Sequence, residues 1–563
     1  MDFMLRDITQ KIHNLRRLRQ ILQVFVKYGF GYIVDRLRIE QNVIGKKVIN
    51  IKPIRKLDVF DQTAAVRARK VLEELGPTFI KLGQILSTRA DLIPVELCKE
   101  FEKLQDRVPS FEYEKVEEQI SSEFKQPIKK IYKKFSPEPT AAASLAQVHI
   151  AELRSGQKVV VKVQRPGIKK IITTDLEILY SLAKLAEKYI EESKIYKPVE
   201  VIDEFRKTIL KEVDFNREAR NIDIFRRNFK DNEKVCFPAV FHDLSTKKIL
   251  TIEQIKGIKI SDVEKINKSG LDRKQLAING ANVVLKQVFI DGFFHADPHP
   301  GNIFAIDNNG VAFLDCGMVG RVDEEMKEQI AAILTAFIER DVFEMARVIM
   351  AVGSVDEADV KGLNADITEL MENYYGISLE ELKMGKFLTE MMDIISQNRI
   401  KIPPDLFLLA KALLTIEGIG RKLDPDFNMV ARTKPFMEKL IKQRYSPKRI
   451  AREIKRLARG LYAFTSSLPR DLSLVLGKMK KGTLIVEFEH KGLENLILQM
   501  DKVSNRIAFS LIIASLIVGS SIIMQTNKGP LFLDFPVLGI LGFLFAGLMG
   551  LWLAIAILRS GKL

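Results

Sequence analysis

Two kinds of apolar pattern alternate along the first half of the chain, and the helical one continues alone afterwards. Short runs rich in Val and Ile predict strands at 144–153, 158–163 and 248–255. Longer runs repeat apolar residues at helical spacing at 64–105, 201–225 and 326–500. The turn dipeptide Ser155-Gly156 joins the first two strands, and Pro403-Pro404 and Pro425 interrupt the last helical run. The pattern therefore predicts an α+β fold with its strands early and its helices late.

The C-terminus carries two apolar segments without charge, 507–524 and 536–558. At 1.5 Å per residue the second segment spans about 34 Å, enough to cross a hydrocarbon core. Two membrane-spanning helices are therefore expected, although a helical hairpin buried inside the preceding lobe would have the same composition. Basic residues flank the outer ends of the pair, while the link holds one of each sign: Lys502, Arg506, Arg559 and Lys562 outside, Lys528 and Asp534 in the link. The positive-inside rule then predicts a multi-pass protein of the inner (cytoplasmic) membrane with both ends in the cytoplasm.

A stripe of small residues runs along the second apolar segment. Its members recur every four residues: Gly542, Ala546, Gly550 and Ala554. Such a stripe permits close helix packing. It is expected to contact either the first apolar helix or a second copy of the chain, so a homodimer is one open arrangement.

Positive charge is concentrated at particular places in the chain. The net charge is +16, from 88 Lys and Arg against 72 Asp and Glu. Residues 1–27 form a basic amphipathic pattern, which either lies on an anionic membrane or packs on the folded body. Residues 439–459 hold nine basic residues against Glu453 alone, and this predicts attraction to anionic lipid. Nucleic-acid binding is not expected, because neither a groove-reading motif nor a series of stacking aromatic residues accompanies the charge.

The candidate chemistry lies in His295-Ala296-Asp297-Pro298-His299-Pro300-Gly301-Asn302, followed by Leu314-Asp315-Cys316-Gly317. In phosphoryl transfer, one carboxylate orients the attacking oxygen, while an Asn and a second Asp hold Mg²⁺ against nucleotide phosphates. Asp297 is therefore predicted to be catalytic, with Asn302 and Asp315 as the metal ligands. Each piece alone would fit a polar turn or a strand-end Asp, but the shared spacing indicates a phosphoryl-transfer site. His295 and His299 are expected to orient the loop by hydrogen bonds.

The rest of a nucleotide site is expected upstream. Lys162 is predicted to be catalytic as the contact for the α- and β-phosphates, although an edge-strand Lys that reaches solvent is an alternative. Its carboxylate partner is expected on the helix 201–225, with Glu218 as first choice and Glu212 as second. Four small residues replace the usual glycines over the phosphates: Ala141, Ala142, Ala143 and Ser144. The strand end at Glu253 and Ile255 is expected to meet the adenine through its backbone.

Four motifs in order give the chain a specific family resemblance. Residues 76–84, the alanine loop, residues 212–215 and residues 423–428 jointly resemble the AarF/ABC1/UbiB atypical kinase family, and the similarity covers about 57–435. The resemblance implies a two-lobed protein-kinase-like fold that uses ATP (or ADP) and Mg²⁺. It also implies kinase or ATPase activity, linked in many members to ubiquinone or another prenyl lipid.

The resemblance further implies a regulatory cap over the active site. Lys81, Gly83 and Gln84 match the family's Lys-x-Gly-Gln motif, and Glu212 and Asp214 match its Glu-x-Asp motif. In the family these motifs meet where a peptide substrate would otherwise bind. From spacing alone, Lys81 and Gln84 would share a solvated helix face.

The sequence also argues against peptide kinase activity. Residues 318–322 alone separate Gly317 from the acidic helix start at 323–325, so an activation segment does not fit. Ala296 replaces the Arg that reads a phosphorylated activation loop in protein kinases. The three cysteines, Cys98, Cys236 and Cys316, match neither a disulfide framework nor a zinc site and agree with a reducing compartment.

Five segments are predicted from these inferences. They are a basic amphipathic segment (1–56), a helical extension with the Lys-x-Gly-Gln motif (57–134), a kinase-like N-lobe (135–255), a helical kinase-like C-lobe (256–500) and a transmembrane helical hairpin (501–563). The expected protein is a membrane-anchored atypical kinase or ATPase that supports synthesis or transport of a prenyl lipid or quinone precursor, alone or in a biosynthetic complex. A catalytically weak, nucleotide-dependent lipid-binding scaffold and a small-molecule lipid kinase are the alternatives.

Overall fold

A computed structural model gives the fold of most of the chain. The described residues are 2–37, 62–87, 89, 92–104, 109–191, 193, 197–353, 360–375, 383–398, 400–444, 457–458, 462, 473, 480, 493–526, 530–532 and 535–559. They divide into two units, residues 1–451 and residues 452–563. Most of the basic stretch 439–459 lies outside the described residues.

The N-lobe of the first unit is built on one antiparallel sheet. Its strands are β1 Tyr132–Phe135, β2 Ala141–Ala142, β3 Ala146–Leu153, β4 Lys158–Gln164 and, after a strand of the other lobe (β5 Val235–Cys236), β6 Ile249–Glu253. The order is β1-β3-β4-β6, and β2 pairs with β3. Gly156, with φ +88°, closes the tight turn between β3 and β4. Because Val159, Val161 and Val163 are fully buried on one face of β4, strand alternation directs Lys162 to the other face.

The C-lobe contains the remaining strands of the first unit. These are β7 Ile258–Lys259, β8 Phe293–His295, β9 Ile303–Ile306, β10 Gly310–Phe313 and β11 Val319–Arg321. One sheet has the order β5-β10-β9-β7, and β8 pairs with β11 in a second. The antiparallel pairing of β9 with β10 brings Ile303 opposite Phe313. Asn302 and the loop containing Asp315 therefore leave the same end of this ladder.

Helices make up the rest of the first unit. In chain order they are α1 Asp2–Lys27, α2 Gly31–Arg36, α3 Ala64–Leu75, α4 Pro77–Leu86, α5 Val95–Phe101, α6 Tyr113–Phe124, α7 Ile128–Ile131, α8 Ile168–Tyr189, α9 Pro198–Glu212, α10 Phe215–Asn228, α11 Val263–Lys268, α12 Arg273–Leu285, α13 Glu324–Glu339, α14 Val342–Val352, α15 Val360–Asn373, α16 Met384–Gln397, α17 Pro404–Leu423 and α18 Met429–Arg444. The largest buried cluster joins α12, α17 and their neighbours in the C-lobe. The α+β fold, with a helical extension before the N-lobe, is confirmed.

Two of the predicted helical runs are interrupted. The single helix expected at 201–225 is wrong, because Asp214 takes an extended conformation between α9 and α10 and caps α10 by accepting the Asn216 N–H at 3.2 Å. The run 64–105 is broken first at Gly76, whose φ is +93°, and Pro77 then begins α4. Hydrophobic periodicity continued across both breaks, so it could not locate them.

The N-terminal helix packs on the folded body wherever its side chains are described. Ile21, Leu22 and Val24 are buried. Arg17 Nε lies 2.7 Å from Asp175 Oδ1 on α8, and the same guanidinium donates to the Leu75 carbonyl at 2.8 Å. Residues 14–27 therefore pack on the folded body, which is one of the two alternatives considered; the other was a helix lying on an anionic membrane.

The second unit is a helical hairpin. It contains α19 Leu493–Gln525, the short strands β12 Leu531–Phe532 and β13 Phe535–Pro536, and α20 Val537–Arg559. Val503–Gln525 and Val537–Ile555 are long and apolar enough to cross a membrane. Large apolar side chains are exposed on both helices, Leu511 and Leu551 among them, which does not fit a hairpin buried in a protein core. A Cβ on Gly542 would lie 2.1 Å from Ser520 Oγ, so this part of the small-residue stripe contacts the first helix, whereas one on Gly550 would meet nothing within 4 Å.

Candidate active site

Lys162 forms an ion-pair cluster with two carboxylates. Its Nζ lies 2.9 and 3.0 Å from the carboxylate oxygens of Glu218 and 3.4 Å from Asp315 Oδ2. Glu218, the first choice from the sequence, is therefore the partner on α10, and Glu212 at the end of α9 is not. An edge-strand Lys that reaches solvent is excluded, because β4 is paired on both sides and the Lys162 side chain is 20% exposed.

The charges in this cluster shift one another's acidity. Burial opposes the charge on Lys162, but Asp315 and Glu218 outweigh it and raise the pKa of the ammonium. Burial also opposes ionisation of Asp315, yet Lys162 and the Gly317 N–H, which donates at 2.9 Å, lower its pKa to about 2. Burial raises the pKa of Glu218 to about 7 against the effect of Lys162. Asp315 is thus a carboxylate at neutral pH.

The raised pKa of Glu218 predicts a specific dependence of stability on pH. A carboxyl whose pKa rises from about 4.5 to about 7 on folding stabilises the protein fully below the lower value and loses that contribution as the pH rises through 7. Between pH 5 and pH 9, we expect wild type to lose about 2–3 kcal/mol of unfolding free energy relative to Glu218→Gln. Urea unfolding of the full chain in mild detergent, followed by circular dichroism, measures this difference. The same substitution at exposed Glu233 is the control, and parallel pH curves for Glu218→Gln and wild type would contradict the expectation.

Asp297 is paired with a lysine from the C-lobe. Lys411 Nζ, on α17, lies 3.0 Å from Asp297 Oδ1, and each side chain is 34% exposed. Burial opposes the charge on Asp297, but Lys411 lowers the pKa of this carboxyl below its ordinary value. Asp297 is therefore an ionised, partly accessible carboxylate in the cleft.

His295 connects the two acidic loops. Its buried ring accepts the Asp297 N–H at Nδ1, at 3.2 Å, and its Nε2 is bonded to the Asp315 carbonyl oxygen. Because Nδ1 accepts, Nε2 must carry the proton, and burial lowers the pKa of the ring so that it stays neutral. His299 is exposed and accepts the Gly301 N–H at 3.1 Å. These contacts fit the expected orienting role of both histidines.

Asn302 lies beside the Asp315 loop. The backbone carbonyl oxygen of Asn302 accepts the Leu314 N–H at 3.0 Å, which continues the β9–β10 ladder by one residue. Together with the contacts of Lys162 and His295, this bond gathers Lys162, Asp297, Asn302 and Asp315 into one cleft between the lobes. Their roles in catalysis and metal binding remain predictions.

The side-chain oxygens of Asp315 and Asn302 suit Mg²⁺ that binds together with a nucleotide. Asp315 offers an ionised carboxylate and Asn302 an amide oxygen, and oxygen atoms are the ligands that Mg²⁺ prefers. Within the described part of the chain, no group of three or more His, Cys, Asp or Glu could hold a metal alone. Mg²⁺ sites with one or two carboxylates usually complete their coordination with substrate phosphates and water. The residues present therefore fit a metal bound jointly with a triphosphate.

The alanine loop is more regular than expected. Ala141 and Ala142 form β2, paired with Val148 and Gln147 of β3, and the Ala143 N–H donates to the Ala146 carbonyl at 2.8 Å to close the hairpin. None of the residues 140–144 takes a positive φ. Ser144 is 1% exposed, and its hydroxyl has no hydrogen-bond partner among the described residues. The connection from β2 to β3 is thus a hydrogen-bonded hairpin turn of small residues rather than a glycine-rich loop.

The predicted adenine contact is the end of β6. Glu253 is exposed, and its carboxylate accepts the Ala239 N–H at 3.1 Å, so its side chain is held on the neighbouring connection. The Gln254 N–H donates to the Lys158 carbonyl at 3.1 Å. Ile255 follows, half-buried, at the crossing to the C-lobe. A contact between the backbone of this strand end and adenine stays a prediction.

The two cap motifs meet in the structure. Lys81 Nζ lies 2.5 Å from Glu212 Oε1, and Lys81 is buried, so the solvated helix face considered for it is wrong. Gln84 Nε2 donates to the Leu104 carbonyl at 3.2 Å within the extension. Asp214 is the N-cap of α10, the helix that carries Glu218. The extension also reaches the C-lobe, because the Arg89 guanidinium lies 5.7 Å from the Phe407 ring centroid on α17.

Gly83 is required by close packing inside the extension. A Cβ there would lie 2.2 Å from Leu104 Cδ1 and 2.7 Å from Leu72 Cδ1, and both leucines are buried. We expect Gly83→Ala to lower the free energy of unfolding by about 1–3 kcal/mol, because overpacking outweighs the gain in helix propensity. Gly418→Ala is the matched control, since its Cβ would meet nothing within 4 Å in another helix. Thermal unfolding compares the two variants, and equal melting temperatures would contradict the expectation.

Several residues of the cleft escaped the sequence analysis. Gln287 Oε1 accepts the His295 N–H at 3.0 Å, and Asn221 Nδ2 donates to the Cys316 carbonyl at 3.0 Å. Lys411 is a charged residue within an apolar run of α17, which is a weak signal, and Gln287 directly follows Lys286 between apolar residues. Asn221 lies in a polar helix and gave no signal.

A cavity of about 440 Å³ lies outside the nucleotide cleft. It is lined by Gln119, Gln164, Arg165, Gly167, Ile168, Lys169, Lys170, Thr173 and Lys248. No residue of the candidate active site lines it.

Comparisons with known proteins agree on one family. Residues 103–349 match the ABC1 atypical kinase-like domain, 367–428 the UbiB helical domain and 491–559 the ABC1/UbiB kinase-like C-terminal domain. The chain is 39% identical to a probable protein kinase UbiB of Marinobacter nauticus, over 73% of this chain and 75% of that protein. It is 35% identical to an uncharacterized protein in the hydrogenase 1 5' region of Clostridium pasteurianum, over 98% of this chain and 100% of that protein.

A solved complex of Rv3197 with erythromycin from Mycobacterium tuberculosis has a TM-score of 0.46 at 20% identity, over 65% of this chain and 93% of that chain. That likeness is too low to add to the assignment. The α+β lobes and the matched domains define a kinase-like protein of the atypical class. The chain belongs to the ABC1/UbiB family.

Proposed function

We propose that this protein is a membrane-anchored, Mg²⁺-dependent ATPase or atypical kinase that supports synthesis or transport of ubiquinone or another prenyl lipid. The observation that carries the proposal is the cluster of Lys162, Glu218 and Asp315 beside Asp297, with Lys162 Nζ 3.4 Å from Asp315 Oδ2. A cation for phosphates, an ionised metal ligand and an ionised base are the groups that phosphoryl transfer requires.

Each residue has a defined task in this proposal. Lys162 binds the α- and β-phosphates while Glu218 holds its side chain in place. Asn302 and Asp315 would hold Mg²⁺, which would supply positive charge to the phosphate oxygens. Asp297 orients the attacking water or hydroxyl and accepts its proton. His295 keeps the loops of Asp297 and Asp315 in register through its two ring nitrogens.

The anchor is the helical hairpin of the second unit. The exposed apolar surface of Val503–Gln525 and Val537–Ile555 supports insertion in a bilayer. The basic residues outside both helices support a multi-pass topology in the inner (cytoplasmic) membrane, with the kinase-like unit in the cytoplasm. The stretch 439–459 would add attraction to anionic headgroups.

A lipid-like substrate is favoured over a peptide. The chain passes from Gly317 through β11 directly to Asp323, which caps α13 by accepting the Met326 N–H at 2.8 Å. The extension meanwhile contacts α9 through Lys81 and α17 through Arg89. The family resemblance implies that such contacts cover the place of a peptide substrate, which supports a prenyl lipid or quinone precursor as the partner.

ATP hydrolysis by the full chain in liposomes tests this function. We expect Mg²⁺-dependent hydrolysis that rises severalfold when anionic lipid is included and again when a prenylated phenol is added as a precursor mimic. Absence of Mg²⁺-dependent ATP binding would overturn the proposal. Transfer of labelled phosphate to the phenol would identify a small-molecule lipid kinase. Normal cellular function of Asp297→Asn without hydrolysis would identify a nucleotide-dependent scaffold.

A further inference from the structure

Lys411 presents a cation at the place where Asp297 acts. The pair is 3.0 Å apart, and both side chains are partly open to the cleft. Lys411 lies in an apolar run of α17 whose neighbours Leu409, Ala412 and Leu413 are buried in the C-lobe core. Because that packing fixes the helix, the Lys411 stem starts from a rigid position.

The catalytic loop itself carries no lysine or arginine. Its residues between Asp297 and Asn302 are Pro298, His299, Pro300 and Gly301. His299 is exposed and its Nδ1 accepts a backbone N–H, so it is not positioned as a cation. Lys162 lies across the cleft with Glu218 and Asp315, where the proposed function assigns it to the α- and β-phosphates. Neither the loop nor Lys162 therefore supplies a cation beside Asp297, whereas Lys411 does.

We propose that Lys411 is a further catalytic residue, which pairs with Asp297 before nucleotide binds and then binds the γ-phosphate of ATP. This inference rests on the proposed function. An oxygen that Asp297 orients must stand next to the γ-phosphorus, so a cation 3.0 Å from that carboxylate is within reach of the γ-oxygens. A lysine can move from the carboxylate to the phosphate, because its ammonium is a compact charge on a flexible side chain.

The change of Lys411's partner, from the Asp297 carboxylate to the γ-phosphate, affects the reaction step. The attacking oxygen forms a bond to the γ-phosphorus, the bond from that phosphorus to the β,γ-bridging oxygen breaks, and its electron pair leaves with ADP. The proton of the attacking water or hydroxyl goes to Asp297. Lys411 keeps its own protons and stabilises the γ-oxygens. When Lys411 moves to the phosphate, Asp297 loses its counter-ion and becomes a stronger base.

Nucleotide selectivity separates this role from a structural one. ADP lacks the γ-phosphate, so Lys411→Met is expected to weaken binding of the Mg²⁺ complex of a β,γ-imido ATP analogue about tenfold while leaving ADP affinity within about twofold. The turnover number for ATP is expected to fall about 100-fold. Lys411→Arg, which keeps the charge, is expected to restore part of both losses. Lys422→Met removes an exposed lysine from the same helix and is the matched control.

The measurements use the full chain in detergent, with calorimetry for binding and phosphate release for turnover. Equal loss of analogue and ADP affinity, or no loss of either, would overturn the inference. A lowered melting temperature with unchanged selectivity would also overturn it and leave a structural ion pair. Failure of wild type to bind either nucleotide would instead refute the proposed function, so the two failures are distinguishable.

Discussion

Asp315→Asn is expected to weaken Mg²⁺-dependent ATP binding by about 100-fold or more and to abolish turnover. Asp315 is the carboxylate whose pKa is lowered to about 2, and it contacts Lys162 at 3.4 Å. An amide in its place loses the negative charge that both Mg²⁺ and Lys162 require. Calorimetric titration of the full chain with ATP, with and without Mg²⁺, measures the effect.

The control for this change is Asp307→Asn, on an exposed turn between β9 and β10. It removes the same charge from the same hairpin at the end opposite Asp315 and should leave affinity unchanged. Undiminished Mg²⁺-dependent affinity in Asp315→Asn would remove the metal site from the account.

Asp297→Asn is expected to separate chemistry from binding. The turnover number should fall about 1000-fold, because an amide cannot accept the proton of the attacking oxygen. Affinity for Mg²⁺ and ATP should not fall by more than about threefold, because the metal ligands and Lys162 are untouched and Lys411 loses only a competing partner. Phosphate release and calorimetry on one preparation measure both quantities. A turnover number close to that of wild type would show that another group acts as the base.

Short motifs could be placed from the sequence because their chemistry depends on local spacing. Asp297 and Asn302 belong to one loop, and Lys162 belongs to a strand whose valines define its buried face. The choice between Glu218 and Glu212 depended on the helix register, which the extended residue Asp214 resets. The tertiary structure thus identifies the carboxylate partner of Lys162, which periodicity alone could not.

Contacts between segments that are far apart in the chain could not be predicted from the sequence. Lys411 meets Asp297 because α17 packs against α12 and β11, and Lys81 meets Glu212 because α4 packs beside α9. A lysine within an apolar helix is a weak signal, since long stems often reach solvent from such positions. The family resemblance, not the residue pattern, was what indicated the cap.

The apolar C-terminal hairpin shows the opposite balance. Its uncharged segments can be located from the sequence, and the two candidate spans lie close to the segments expected. The small-residue stripe is less uniform than its spacing predicts, because Gly542 contacts Ser520 whereas a Cβ on Gly550 would meet nothing within 4 Å. The stripe alone could not say which of its members meet a partner.

The proposed function requires Lys162, Asp297, Asn302 and Asp315 to surround one Mg²⁺-bound triphosphate. A structure of the full chain with Mn²⁺ and a β,γ-imido ATP analogue, with the metal located by anomalous scattering, would test this arrangement. We expect the metal about 2.1 Å from oxygens of Asp315 and Asn302, the ammonium of Lys162 on the α- and β-phosphates, and Asp297 facing the γ-phosphorus. A triphosphate bound elsewhere, or a metal held without Asp315, would contradict it.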